Sequence, residues 1–239
     1  MTNPLLQKWS TPFEMPPFED IQAAHFPEAF NQALSHHQHE IQAIASQKQA
    51  PSFQNTLLAL EASGELLNQT SALFFNLSAS HTSPEIQAIE RDMSPKLAAH
   101  SAAMFLNAAL FERINKLHQE RTNLGLDAES IRLIERYHLD FVRAGANLKD
   151  KDRQTFANYS EKLASCFTQF SQNVLADEAA FCLVLTEADQ LKGLPDFVKS
   201  AAKQLAKERG LEQHNAHAFT LSRSSITPFM TFSERRDLR

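Results

Sequence analysis

The chain has 239 residues, with 23 Lys and Arg against 28 Asp and Glu for a formal charge of −5; hydrophobic residues make up 43% and charged residues 21%. That balance can bury a core and excludes wholesale disorder, and a mildly acidic surface is a poor match for phosphate backbones. Only 5 glycines occur, against an average usage of about 7%, which disfavours hairpin-rich sheets and Gly-rich phosphate loops and points to helices.

Four of the 10 prolines fall within residues 4 to 17. Each disfavours helix at itself and at the residue before it, so residues 1–20 read as an extended arm, with Trp9, Phe13 and Phe18 as its anchors on a body. A helical domain is expected over 21–178. From Phe53, apolar Leu57, Leu60, Leu67, Phe74 and Leu77 recur at steps near 3.6, with Gly64 on the same stripe, where another helix would approach closely. Ser83, Pro84 and Glu85 read as an N-cap, a first-turn proline and an acidic first turn. Ser94-Pro95 is expected to break that helix and start another, through Leu97, Met104, Ala108, Phe111 and Ile114 to Gly125. Asp127 caps the next, with Ile131, Ile134, Tyr137 and Phe141 inward and an end at Gly145.

The clearest amphipathic repeat is Phe156, Tyr159, Leu163, Phe167, Phe170 and Val174, read as core. Cys166 and Cys182 lie in apolar strings and read as small buried hydrophobes. Residues 179–239 change character and form a small α+β unit. Ala180 to Leu185 is a strand, closed by a capping box from Thr186 to Asp189. A helix from Asp196 to Arg209 ends at Gly210, and Ala218 to Leu221 is the strand's partner. The fold class expected is mainly α: a multi-helix bundle-like lobe with an extended N-terminal arm and a small two-stranded β element near the C-terminus.

Chemistry is sparse. No G-x-S-x-G, G-x-x-x-x-G-K-[ST] or G-x-G-x-x-G string occurs. His39-Glu40-Ile41-Gln42-Ala43 opens like H-E-x-x-H, but Ala43 stands where the second imidazole must be, and one imidazole cannot build that zinc site. His36 with His39, or His214 with His217, could each supply two ligands, which is a weak exposed site; surface histidines are the simpler reading. Glu61 and Glu65 can share a helix face and read as a solvated edge. No catalytic, metal or substrate-binding residue is assigned. With no apolar run of the length a membrane span needs and no secretory leader, a cytoplasmic protein is expected, with neither membrane nor nucleic acid as partner.

Several strings connect beyond composition. Asn3-Pro4-Leu5-Leu6, Pro16-Pro17-Phe18, His25-Phe26-Pro27-Glu28-Ala29-Phe30, Glu40-Ile41-Gln42-Ala43-Ile44 and Pro51 to Leu57 resemble the opening of the M3-family zinc oligopeptidases. Asp140 to Leu148, Leu191 to Pro195 and Pro228 to Phe232 continue the resemblance to the end of the chain, and Val142-Arg143-Ala144-Gly145-Ala146 looks most like the bacterial peptidyl-dipeptidase branch. Glu14 departs from the pattern, which often has glycine there, as do Ser52 and Gln54, where Thr and Glu are usual. The resemblance implies a nearly all-helical enzyme of two lobes flanking a channel for unfolded oligopeptides. Zinc and its H-E-x-x-H ligands would lie in a C-terminal half beyond residue 239, so this chain itself would hold no cofactor. It would be a non-catalytic N-terminal lobe forming one channel wall, with oligopeptides and the C-terminal catalytic lobe as its partners. The alternative is a free-standing helical module that binds peptides or proteins without hydrolysis. Ser233 can cap a further helix, which reads as a cut end, and the apolar surface left uncovered should drive self-association.

Overall fold

The computed structural model describes residues 2–211 and 215–239. The chain is mainly α, with one small antiparallel sheet near its C-terminus, and divides into two compact units, Met1–Thr168 and Gln169–Arg239. None of the described helices is long and apolar enough to cross a membrane.

In the first unit the helices are α1 (Phe26–Ala45), α2 (Ala59–Glu61), α3 (Glu65–Ser80), α4 (Pro84–Phe105), α5 (Ala108–Glu120), α6 (Ala128–Arg143) and the start of α7 (Asp150–Ala180). Helix α1 carries apolar residues along its whole length, so its two halves serve two cores. Phe26, Phe30 and Ala33 pack with Leu5, Leu67, Phe74, Ile86 and Met93. The rings of Phe26 and Phe30 meet Phe74 edge-on at 5.0 and 5.3 Å, the geometry that aromatic quadrupoles favour. Farther along, Ile41 and Ile44 join Leu57, Leu110, Ile114, Ile134 and Phe141.

The caps expected at Ser83 and Asp127 are present: each side chain accepts the amide three residues on, at 3.2 and 2.7 Å. Other expectations fail for local reasons. The stripe from Phe53 is not one helix. A π-helical segment (Phe53–Leu58), capped reciprocally by Ser52 and Asn55, runs into α2, and the chain breaks before α3 at Gly64, whose φ is +74°. A close approach does occur there, because a Cβ on Gly64 would lie 3.1 Å from the His37 ring of α1. Pro95 does not break α4. Its missing N–H costs one bond at the exposed carbonyl side of Arg91, while buried Met93 and partly buried Leu97 hold the helix on either side. The break comes instead at Leu106, because the Asn107 side chain accepts the Leu110 amide at 3.0 Å and caps α5.

Of the three aromatic anchors expected for the arm only Trp9 packs on the body, and Asn3 and Leu5 join it. Leu5 is buried, and Asn3 donates to the His25 carbonyl at 2.8 Å and to Glu28 at 3.1 Å while accepting the Leu5 amide. Trp9 is partly buried and donates to the Pro4 carbonyl, whereas Phe13 is 98% exposed and Phe18 is also exposed. Phe13 and Glu14 both have left-handed backbone, with φ of 58° and 54°, so the position where the resembled family often has glycine is one that glycine takes without strain.

In the second unit, β1 (Leu183–Leu185) pairs antiparallel with β2 (His217–Phe219), Leu183 opposite Phe219 and Leu185 opposite His217. Helices α8 (Asp196–Glu208) and α9 (Arg223–Phe232) complete it around Leu185, Leu194, Val198, Ala202, Phe219 and Phe229. Gly193 is obligatory, since a Cβ there would lie 2.3 Å from the Phe232 carbonyl. The capping box before the short 3-10 helix (Ala188–Leu191) is formed by Glu187 and Gln190 rather than starting at Thr186. Ser233 accepts the Arg235 amide, as a cap would, but the chain then makes a single turn, held by Arg235 on Asp189 and Asp237. Cys166 is exposed and Cys182 intermediate, so neither is the fully buried hydrophobe expected.

Candidate functional site

The 3.6-residue period of α1 sets Phe30, Ala33, His37, Ile41 and Ile44 on one inward stripe and leaves His36 and His39 exposed. On α4, Met93, Leu97 and His100 share a stripe in the same way. The sequence pattern draws attention to His36 and His39 as a pair, whereas the structure brings together His37 and His100. Their place on apolar stripes is the signal that marks them.

The resulting cluster is fully connected. His37 Nε2 lies 3.2 Å from Ser63 Oγ, and His37 Nδ1 lies 2.9 Å from His100 Nε2. Ser63 spends its proton on the Leu60 carbonyl at 2.7 Å, so its oxygen accepts from His37 Nε2–H. His37 Nδ1 is then bare and accepts from His100 Nε2–H. Burial holds both imidazoles below their ordinary titration range; the Glu40 carboxylate partly opposes this at His37. Glu40 also accepts the Gly64 amide at 2.9 Å, satisfying a donor at the start of α3.

A serine beside a histidine beside a third group resembles an acyl-transfer triad, but its polarity is reversed. A general base must present a bare nitrogen to the hydroxyl. Here the hydroxyl proton points at a carbonyl and the facing nitrogen carries hydrogen. Ser63 is also buried.

The other sequence candidates are dispersed. His36 Nδ1 stands 3.6 Å from Glu40 Oε1. Glu61 and Glu65 do not share a helix, since Gly64 separates them. Glu61 accepts the Tyr137 hydroxyl at 2.6 Å, which with burial holds that phenol far above its ordinary value. Glu65 lines a cleft of about 460 Å³ with Trp9, Glu14, His36, Glu40 and Gln69. His217 is buried in β2, and its proposed partner His214 lies outside the described residues. Among the described residues no three His, Cys, Asp or Glu side chains are grouped to hold a metal ion. The described residues therefore do not fit a zinc centre.

Sequence reasoning also missed Arg113. It is buried and donates to the Gln47 and Gln49 carbonyls, Asn55 Oδ1 and Thr56 Oγ1, at 2.9 to 3.2 Å. It thereby closes the loop between α1 and the π-helical segment onto α5.

The largest departure is α7. Its stripe is exposed along its length: Phe167 is 65% and Phe170 67% exposed, and Phe156, Tyr159, Leu163 and Val174 are also exposed. From Leu163 to Ala176 there is no charged residue. A face this apolar is characteristic of a surface that another polypeptide covers.

Among the described residues the molecule offers a helical scaffold and apolar faces rather than a catalytic constellation. No family model matches the chain. Dipeptidyl carboxypeptidase of Salmonella typhimurium is 40% identical over 212 residues, 89% of this chain and 31% of the relative. The Escherichia coli dipeptidyl carboxypeptidase is 38% identical over 88% of this chain and 31% of its own. Oligopeptidase A of Escherichia coli is 26% identical over the whole chain and 34% of its own length. The chain is a relative of these peptidases. It spans about a third of the length of the dipeptidyl carboxypeptidases and oligopeptidase A that it matches, in keeping with the N-terminal region of an M3 peptidase.

Proposed function

We propose that the chain is the N-terminal, non-catalytic lobe of a cytoplasmic zinc-dependent peptidyl-dipeptidase of the M3 family. In it the chain forms one wall of the channel that admits oligopeptides, from which C-terminal dipeptides are released. The observation that carries this reading is the 40% identity over 89% of the chain against 31% of the relative. The uncharged, exposed stripe of α7 supports it, since the remaining polypeptide of such an enzyme would cover apolar surface of this kind. Zinc would be held by that remaining polypeptide, and no step of the reaction is assigned to residues of this chain.

The test is a chimera in which this chain replaces the matching third of the Salmonella dipeptidyl carboxypeptidase. The chimera is expected to release C-terminal dipeptides from a blocked oligopeptide, and the isolated chain is expected to release none. Dipeptide release by the isolated chain, stopped by a zinc chelator, would overturn the non-catalytic assignment. The exposed stripe also favours a second reading, a helical module that binds peptides without cleaving them. Saturable binding of unstructured oligopeptides by the isolated chain would support it, and no binding at millimolar peptide would end it.

A further inference from the structure

The His37 and His100 pair joins two partly buried imidazoles on different helices by a direct hydrogen bond. It also sits at a joint. His37 holds Ser63, and Glu40, one turn along α1, holds the Gly64 amide, so the break between α2 and α3 is fastened to α1 by two neighbouring side chains. His100 fastens α4 to the same point. Phe26, Phe30 and Ala33 of α1 also pack with Ile86 and Met93 of α4, and apolar contacts do not respond to protons.

We propose that the His37–His100 pair is a proton-operated latch that accepts one proton and is forced open by a second, releasing α4 from this point of α1 in mildly acidic solution. The capacity follows from counting hydrogens. In the neutral pair, His37 carries its hydrogen on Nε2 and His100 carries its own on Nε2. A first proton is accommodated if it settles on His37 Nδ1 while His100 shifts its hydrogen to Nδ1, leaving His100 Nε2 to accept. A second proton has no such arrangement. Both facing nitrogens would then carry hydrogen 2.9 Å apart, and two cations would share a partly desolvated site.

The surrounding charges are few. On α1, Glu40 favours protonation of His37 and His36 disfavours it. On α4, Lys96 and Asp92 are exposed and paired with each other at 2.7 Å. Ser63 and Gly64 of the joint carry no charge. A second positive charge is favoured by Glu40 and opposed by His36, by burial and by the pair's own repulsion. Opening by rotation of His100 toward solvent removes the conflict at the cost of the one bond between the two rings, while His37 Nε2–H stays on Ser63.

The 239-residue chain is tested by hydrogen exchange at the α4 amides around His100, between about pH 7.5 and 5.5 and corrected for intrinsic rates. The expected fall in protection is roughly tenfold or more, the scale of a one-unit pKa difference. His100→Gln keeps a donor for His37 Nδ1 and cannot take up a proton, so its fall should be under about threefold. His36→Gln, on the exposed side, should behave as the wild type. An equal fall in the wild type and His100→Gln would overturn the latch. If His100→Gln does not fold, nitrogen-15 spectra of the wild-type imidazoles decide. Nε2–H on both rings at pH 7.5, followed by two well-separated protonation steps, supports the latch. A bare His37 Nε2, or two independent titrations of equal midpoint, refutes it.

Discussion

Helices α3 and α7 carry the same kind of signal, phenylalanines recurring with the helical period, and they meet opposite fates. Phe74 of α3 is 0% exposed and locked edge-on between Phe26 and Phe30, whereas Phe170 of α7 is 67% exposed. The difference lies in what stands opposite. Helix α3 faces α1, whose own apolar stripe reciprocates it, and the two bury each other. A stripe of apolar residues records that a face is to be covered. It does not record whether the cover belongs to the same chain.

The sharpest way to break this comparison is truncation. Phe74→Ala should cost about 3 to 5 kcal/mol, because it removes a buried ring and leaves a cavity among aromatic neighbours. Phe170→Ala should change the stability of the isolated chain by less than about 0.5 kcal/mol, as for other exposed positions. Denaturant unfolding of both variants checks this, and equal losses would mean that α7 is covered within the chain. The same surface predicts reversible self-association in sedimentation, abolished by the double variant Phe167→Glu and Phe170→Glu.

Next in size is Arg113→Met, expected to cost about 2 to 4 kcal/mol, since it keeps the apolar stem yet strips four acceptors of their buried donor. The same substitution at exposed Arg132 should be nearly silent. Asn107→Ala should cost about 1 kcal/mol by freeing the first amides of α5. That would show that one cap, rather than Pro95, sets the helix boundary.

A pH scan sharpens the contrast between buried and exposed positions in another way. His37, His100, His118, His138 and His217 are all held below the ordinary value of 6.5, each chiefly by burial. A group whose native value is lowered binds fewer protons folded than unfolded. Its contribution is therefore complete above about 6.5 and is lost as the pH falls through the range below. The melting temperature should drop on acidification from pH 7.5 to 5.5, and the drop should shrink in His118→Gln but not in His39→Gln. The smallest effect expected is at Glu14, where φ is +54°. Glu14→Gly should stabilise by a few tenths of a kcal/mol, because relief of left-handed strain is partly offset by the entropy that glycine adds to the unfolded chain.

Much of this was legible from residue order. Ser83 and Asp127 as caps, Gly145 and Gly210 as stops, and a strand pair from the apolar runs Ala180–Leu185 and Ala218–Leu221, which forms at Leu183–Leu185 and His217–Phe219, all follow from interactions within a few residues or from a distinct apolar run. Pro95 misled because the cost of a proline can be borne when both flanking turns are anchored by packing, and that anchoring is tertiary. Of the arm's aromatic residues only Trp9 packs on the body, for a similar reason. Asn3 and Leu5 found partners more than twenty residues away, and Phe13 found none in the structure's core.

The histidines mark the boundary most clearly. Sequence alone determined that His36, His37 and His39 sit on one helix, that the H-E-x-x-H pattern fails at Ala43, and that the chain resembles a region of these peptidases. Those are statements of local order and composition, fixed as soon as the residues are. Only the tertiary structure decided that His37 would meet His100 across 63 positions, that Gly64 would bend where a helix was expected, and that α7 would leave its phenylalanines in water. Each depends on which surfaces face one another in space. The period of a sequence gives the direction of a side chain about its own helix, while its neighbour is chosen by the packing of the whole.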